Sequence, residues 1–318
     1  MKNFALIGAA GYVAPRHMKA IKDTGNKLVA VLDKNDSIGI IDSYFPQADF
    51  FTEFERFDRH IDLLKRKGTK IDYVSIASPN YLHDSHIRFA LRNNAHAICE
   101  KPLVLNPHNV EALKIVQEET GCKVFNILQL RHHPALIQFR EKILKELTDN
   151  NSKNYEVDLT YITSRGNWYL NSWKGNESKS GGIATNIGIH FFDMLGWIFG
   201  EVKKNVVHLK TQDTNAGYIE FSNARVRWFL SINSDNLPEN VKATGQRTFR
   251  SLTVDNEEIE FSTGFTDLHT ASYQSIIDGN GFGLDDAKQS IEIASQIRNL
   301  EIANKGSSKH SYLRDIKT

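Results

Sequence analysis

The sequence predicts a two-domain chain: an α/β domain with a parallel sheet over residues 1–128, followed by a mostly antiparallel, open-sheet α+β domain over residues 129–318. Three observations carry this expectation. Short β-rich runs alternate with amphipathic segments of helical length as far as residue 126. A Gly-rich turn, Gly8-Ala9-Ala10-Gly11-Tyr12-Val13-Ala14, joins the first run to the first helical segment. Beyond Leu128 the alternation gives way to successive extended runs separated by turn residues such as "SNA" and "DNE".

In the first half, the runs "NFALIG", "KLVAVLD", "YVSIAS", "HAICE" and "CKVFNIL" read as strands. Between them, helices are expected near 12–24, 36–45, 54–67, 82–93 and 107–119. In the second half a helix over 133–147 precedes extended runs at "YEVDLTYIT", "VVHLKTQ", "AGYIEFS", "RVRWFLSI", "RTFRSLTVD" and "EEIEF". A buried helix is expected at "GIATNIGIHFFDML", residues 182–195, and two more near 267–278 and 285–301. A sheet of this kind with one open face commonly supports pairing of subunits.

Composition bounds the function. With 318 residues, each domain is large enough to bury a core. Lys and Arg number 39 against 38 Asp and Glu, a formal charge of +1 that gives no long-range attraction to nucleic acid or an anionic membrane. Any anion site is therefore local. The opening "MKNFALIGAAGYVAP" has too short an apolar run and too early a Gly cluster for a signal peptide, and no stretch approaches the roughly 20 apolar residues of a membrane span. A cytoplasmic protein is expected, with neither nucleic acid nor membrane as partner. Cys99 and Cys122 lie in apolar runs and read as reduced core residues. The pairs His83/His86 and His132/His133 lack the Cys, Asp or Glu neighbours of a closed metal site, so no metal is expected.

The Gly-rich turn keeps Gly8 for the tight strand-to-helix turn but places Ala10 and Val13 where G-x-G-x-x-G has glycine. Alone, it also suits a nucleotide-free domain with a helix-capping turn. Its context adds an acid 25 residues on: Asp33 ends the second strand, placed to accept hydrogen bonds from a ribose 2′-OH and to repel a 2′-phosphate. Strand, turn and acid together read as a Rossmann dinucleotide-binding domain that prefers NAD to NADP, a choice that Lys34 blurs slightly. In "SPNYLHDSH", Ser78, Pro79 and Asn80 sit at a carboxyl strand end, the ligand side of an open α/β sheet, although Asn80 equally serves as a helix cap. The run at 96–100 ends in Glu100-Lys101-Pro102, again at the mouth of the sheet.

Within the 182–195 segment Asn186, His190 and Asp193 fall at i, i+4 and i+7 on one helical face. On this stretch alone, a buried structural histidine bonded to Asp193 or to a carbonyl is the simpler reading. Asp193 either orients His190 or caps a neighbour. Between 164 and 182 runs "SRGNWYLNSWKGNESKSGG", where Arg165, Lys174 and Lys179 offer partners for phosphate or carboxylate. Trp168, Tyr169 and Trp173 offer flat surfaces for a sugar, a uracil or a nicotinamide. A surface loop with a Trp anchor is the alternative. "LQLRHHP" brings Gln129, Arg131 and His132 to the domain junction.

The E-K-P after a nucleotide-binding turn resembles the Gfo/Idh/MocA oxidoreductase family, as does Gly181-Gly182-Ile183-Ala184-Thr185-Asn186-Ile187-Gly188-Ile189-His190 beside that family's G-G-x-x-x-D-x-x-x-H. The one departure is Asn186 in place of Asp. The resemblance implies that Lys101 lies by the nicotinamide and sugar, before a proline that is often cis, and that His190 and the residue four before it stand over the nicotinamide. Asparagine cannot act as a base, so proton abstraction falls to His190, assisted by Lys101, with Asn186 orienting a hydroxyl. Cofactor contacts are expected from Gly8, Ala10, Gly11, Tyr12, Val13, Asp33, Lys34, Ser78, Pro79, Asn80, His83, Glu100, Lys101 and Gln129. Substrate contacts are expected from Arg131, Arg165, Trp168, Tyr169, Trp173, Lys174, Lys179, Asn186 and His190. These segments, with "GFTDLHTASYQSII" at 264–277, narrow the resemblance to enzymes that oxidise the C3 hydroxyl of UDP-N-acetylglucosaminuronate (UDP-GlcNAcA) with NAD, in bacterial surface-polysaccharide (lipopolysaccharide O-antigen) biosynthesis. It further implies 2-oxoglutarate as a reoxidant of NADH and a homodimer or homotetramer. The alternatives are a dehydrogenase of a free cyclitol or aldose, a non-catalytic NAD-binding regulator, and an NAD-assisted glycosidase.

Overall fold

The computed structural model describes residues 1–261, 267–303 and 308–314. The chain divides into two compact units, Met1–His132 with Thr266–Lys288, and His133–Phe265 with Gln289–Thr318.

In the first unit the strands are β1 Asn3–Ile7, β2 Lys27–Leu32, β3 Asp49–Phe51, β4 Tyr73–Ile76, β5 His96–Cys99 and β6 Val124–Asn126. All pair in parallel in the order β3-β2-β1-β4-β5-β6, which is the doubly wound dinucleotide-binding order. β1 and β4 are apolar enough to be buried on both faces, as central parallel strands must be. The connecting helices are α1 Ala14–Asp23, α2 Phe54–Arg66, α3 His83–Arg92 and α4 Pro107–Thr120. Each buries one stripe: His17, Met18 and Ile21 on α1, Phe57 and Ile61 on α2. The segment near 36–45 departs from expectation. It forms only a 3₁₀ turn, Gly39–Ser43, and the chain then adds β3, whose three residues are too few for a recognisable alternation.

The second unit opens with α5 Pro134–Asp149 and β7 Tyr155–Thr163, then α6 Asn167–Asn171 and α7 Glu177–Ser180. The stretch 164–182 thus contains two short helices. A π-helical turn, Ala184–Gly188, leads into α8 Ile189–Phe199, followed by β8 Val202–Lys210, β9 Thr214–Phe221, β10 Ala224–Ser231, α9 Glu239–Ala243, β11 Thr248–Val254 and β12 Glu257–Glu258. The sheet order is β12-β11-β7-β10-β9-β8, antiparallel except for the parallel β7–β10 pair. α8 packs on one face of this sheet, Phe199 against Tyr155 and Phe192 against Trp228. On the other face Arg227 forms a bidentate pair with Asp158.

The last helices are α10 Leu268–Ile277 and α11 Leu284–Asn299. A single boundary at 128 assigns α10 to the second domain, and the structure corrects this: α10 belongs to the first unit. The reason is packing. Tyr273 and Ile276 join the core formed by Phe4, Leu6, Met18, Val31 and Phe125, and Tyr273 stacks on Phe4. Of the "GFTDLHTASYQSII" stretch, 264–266 lie outside the described residues. Cys99 and Cys122 are buried free thiols, as expected. Among the described residues, no helix is long and apolar enough to cross a membrane.

α3 carries a titratable core group. His86 lies under Phe54, its Nδ1 2.9 Å from Ser78 Oγ, and burial lowers its pKa from 6.5 to about 4. An imidazole kept neutral in the fold but free to protonate when unfolded supports the native state above its unfolded pKa, and that support is lost as pH falls towards 4. From pH 7 to pH 5 this single group removes about 2 kcal/mol of stability. We expect His86→Phe to lose less stability than the wild type over that interval, by about that amount. Urea midpoints at the two pH values measure it, and equal losses in both proteins would contradict it.

Candidate active site

The strand-end loops of the first unit are built around Gly8. Its φ is +95°, and a Cβ there would stand 2.5 Å from the backbone of Ala77 and Ser78, so no other residue fits without moving β1 from β4. The Gly8 amide donates to Leu32 O at 2.8 Å, and the loop continues through the Gly11 amide donating to Gly8 O. Asp33 closes the turn from the next strand: Oδ2 accepts from the Ala10 amide at 2.8 Å and Oδ1 from the Asn35 amide at 2.9 Å. The cradle fits a dinucleotide. The closely packed turn keeps side-chain bulk away from the start of α1, where the pyrophosphate would lie, and the carboxylate that would take a ribose hydroxyl is held in place before any ligand arrives. Ala10, Tyr12 and Lys34 are exposed around it, with the Arg16 guanidinium over the Tyr12 ring; Gly11 and Val13 are half-buried.

Ser78 and Asn80 are buried at the end of β4, with Pro79 half-buried between them. His83, expected as a cofactor contact, has its Nδ1 2.7 Å from Pro102 O and its Nε2 2.8 Å from Ser78 O. It straps the β4 loop to the β5 loop. Burial lowers its pKa, against backbone hydrogen bonds that raise it. The Lys101–Pro102 peptide is cis, as the resemblance implies, and Lys101 is half-buried.

Glu100 also departs from expectation, because its carboxylate turns into the unit. Oε1 is 3.0 Å from His17 Nε2 and 2.8 Å from His269 Nε2, while Oε2 accepts from the Lys101 amide. Burial pushes the carboxyl up, but the two imidazole donors outweigh it and hold its pKa well below the usual range. Gln129 is half-buried. Arg131 is redirected as well: its guanidinium donates to the Asp286 carboxylate and backbone carbonyl and lies over the Phe282 ring, an arrangement internal to the first unit. His132 also faces Phe282.

In the second unit, Gly181 and Gly182 both have positive φ and turn the chain from α7 into the π turn. The π turn is an insertion of the kind that often marks a functional site. It carries Asn186, whose amide donates a short hydrogen bond to the Tyr169 hydroxyl. Tyr169 is buried, and desolvation raises its pKa. Thr185 accepts from Arg298 at 3.0 Å, which braces the same turn. His190 opens α8 and is half-buried rather than buried as expected, while Asp193 one turn on is buried. A partly exposed imidazole on a braced turn can exchange a proton with a ligand.

The aromatic and basic stretch divides in two. Lys174 Nζ lies 5.1 Å from the Trp168 ring centre and 5.6 Å from that of Trp173; desolvation, then the charge of Arg165, lowers its pKa. Arg165, Trp168 and Lys179 are exposed. Arg250 is a cation the sequence reading overlooked: its guanidinium lies over the rings of Tyr161, Phe191 and Phe261, and desolvation lowers its pKa. It sits in a strand with ordinary alternation, so no local signal distinguished it. His17, Ser75, His269 and Tyr273 were overlooked for the same reason.

Residues 2–128 match the Gfo/Idh/MocA oxidoreductase family, NAD-binding Rossmann fold, and residues 151–247 match the C-terminal alpha/beta domain of that family. The chain is 49% identical to the WlbA (WbpB) dehydrogenase of Thermus thermophilus, whose structure was solved with NAD and UDP-GlcNAcA, with a TM-score of 0.94 and coverage of 98% of this chain and 100% of that one. A structure of the same dehydrogenase with NAD and alpha-ketoglutarate gives 50% identity, a TM-score of 0.93, and 98% and 99% coverage. The glucose-6-phosphate 3-dehydrogenase of Bacillus subtilis is 26% identical over 63% of this chain and 54% of its own length. The chain spans about half the length of the curated relatives it matches first, 54% and 48% for two of them.

If Asp33 reads the ribose, Asp33→Ala weakens NAD binding by about 1–3 kcal/mol, the loss expected for hydrogen bonds to a charged group, and narrows the margin over NADP. Titration calorimetry with both cofactors measures this. Unchanged NAD affinity in a folded variant would remove Asp33 from the site.

Proposed function

Since the chain belongs to the Gfo/Idh/MocA oxidoreductase family, we propose that it oxidises the C3 hydroxyl of UDP-GlcNAcA to the 3-keto sugar, with NAD as cofactor. The observation that carries this is the 49% identity, over 98% of the chain, to a dehydrogenase solved with NAD and UDP-GlcNAcA. The family motif residues of both domains support it. NAD, when bound, supplies the hydride acceptor.

The chain's own residues then have separate tasks. His190, half-buried at the start of α8, takes the hydroxyl proton. Lys101 provides an ammonium that hydrogen-bonds to oxygen and stabilises its developing charge. Asn186 has no basic atom, so its amide orients: one N–H is given to Tyr169, and its carbonyl oxygen is the group that accepts from a sugar hydroxyl. Arg165 and Lys179, exposed in the basic stretch, suit the diphosphate and the uronate, and Trp168 and Trp173 provide stacking surfaces.

The likeness to the complex with alpha-ketoglutarate supports 2-oxoglutarate as the reoxidant. The same reading puts the reaction in surface-polysaccharide assembly, lipopolysaccharide O-antigen included, in the cytoplasm, by a homodimer or homotetramer. Two buried reduced thiols suit a reducing compartment.

Incubating the protein with NAD and UDP-GlcNAcA should form NADH, and adding 2-oxoglutarate should turn a single reduction into repeated turnover. His190→Asn should lose about 10²–10⁴-fold in hydride transfer while keeping NAD affinity and melting temperature. NADH formed only with free inositol or an aldose would transfer the assignment to a cyclitol or aldose dehydrogenase, and undiminished turnover in the variant would remove His190 as base.

A further inference from the structure

Behind the Lys101 loop lies a polar chain with no place in the chemistry above. It runs Lys101 amide, Glu100, His17, Tyr273, Ser75, with His269 as a second branch on Glu100. Its members come from the end of β5 and from α1, β4 and α10, and His269 is 169 residues from Glu100 in sequence. All five side chains are buried, Ser75, His17 and Tyr273 completely.

Donor counting leaves this chain one consistent arrangement. An ionised Glu100 only accepts, so both imidazole Nε2 atoms donate to it. A neutral His17 must then accept at Nδ1, which makes the Tyr273 hydroxyl, 2.7 Å away, the donor. The Ser75 hydroxyl, 2.6 Å from the tyrosine oxygen, donates in turn. Burial lowers the His17 pKa, which keeps its imidazole neutral, and raises that of Tyr273, which keeps the hydroxyl protonated. A chain whose protons do not move is a brace and not a relay. It meets the Lys101 loop from one side, through the Lys101 amide, while His83 holds the Pro102 carbonyl from the other.

We propose that His17, His269 and Tyr273 act through Glu100 as positioning residues for Lys101, with α10 as the strut that returns from late in the sequence to set the E-K-P turn. The inference rests on the proposed role of Lys101 in the reaction. Its residues are not expected to touch sugar or cofactor. His17, Glu100 and His269 also present three potential metal-ligand atoms within 4.8 Å of one another. Coordination would require both Nε2 atoms to surrender the protons that bind Glu100, and that distinguishes a brace from a metal centre.

The test is single-turnover reduction of NAD by UDP-GlcNAcA, followed over hours, together with NAD affinity, melting temperature and metal content. His269→Leu should slow turnover at least about 10-fold with NAD affinity within about 3-fold, and His269→Gln, which keeps a donor at the same reach, should recover most of the rate. In a Lys101→Ala background His269→Leu should cost no more than about 2-fold further, because a residue that works through Lys101 has nothing left to position. An equal penalty in both backgrounds, or no penalty at all, would overturn the inference, as would one equivalent of zinc or iron that His269→Leu releases. If His269→Leu fails to fold, Tyr273→Phe, which removes the donor to His17 and the acceptor for Ser75, enters the same comparison. Absence of NADH formation by the wild type contradicts the proposed reaction itself. An active wild type with an unaffected His269→Leu contradicts only the brace.

Discussion

A buried carboxylate bound by two imidazoles ties the first unit together. Glu100 ends β5, His17 lies on α1 and His269 on α10, so one anion joins a strand end, the first helix and a helix that returns after the whole second sheet. Burying such a charge is costly unless its lone pairs are taken, and here imidazole and amide donors take them. Removing one donor leaves the charge under-compensated. The consequence is local: the same carboxylate contacts the amide of Lys101, so the core of the unit and the placement of the Lys101 turn are one structural problem.

The second unit solves a different problem, that of presenting polar groups from a strongly apolar helix. α8 buries Phe191, Phe192, Leu195, Ile198 and Phe199, and such a helix has little freedom to place a polar side chain at its start. The π turn at Ala184–Gly188 supplies that freedom by adding a residue to the turn. Thr185 bonded to Arg298, and Asn186 bonded to Tyr169, hold the inserted turn in one geometry. Asparagine where the family has aspartate is consistent with this. An amide can bond Tyr169 as a donor, whereas a carboxylate would have to accept the tyrosine proton.

Much of this was legible in the sequence because it follows from local pattern. Apolar runs such as "YVSI" can only be buried parallel strands in this setting, and Gly8, Asp33 and the E-K-P turn sit within a few residues of the strands that position them. What local pattern does not carry is partnership across the chain. α10 reads as an ordinary amphipathic helix near the end of a second domain, and nothing in "LHTASYQSII" reveals that Tyr273 packs on Phe4 or that His269 bonds Glu100. Arg131 and His83 show the same from the other side: the sequence does not reveal that Arg131 bonds Asp286 or that His83 lies between the Pro102 and Ser78 carbonyls. A π insertion is equally silent, since its residues keep the composition of a helix.

The central claim is that hydride leaves C3 of a UDP-uronate. Mass spectrometry of the nicotinamide formed from UDP-GlcNAcA carrying deuterium only at C3 tests it most directly. The account predicts reduced cofactor bearing one deuterium, formed more slowly than from unlabelled sugar and in amounts equal to the keto sugar. Reduced cofactor without the label, or keto sugar that still carries it, would contradict the account.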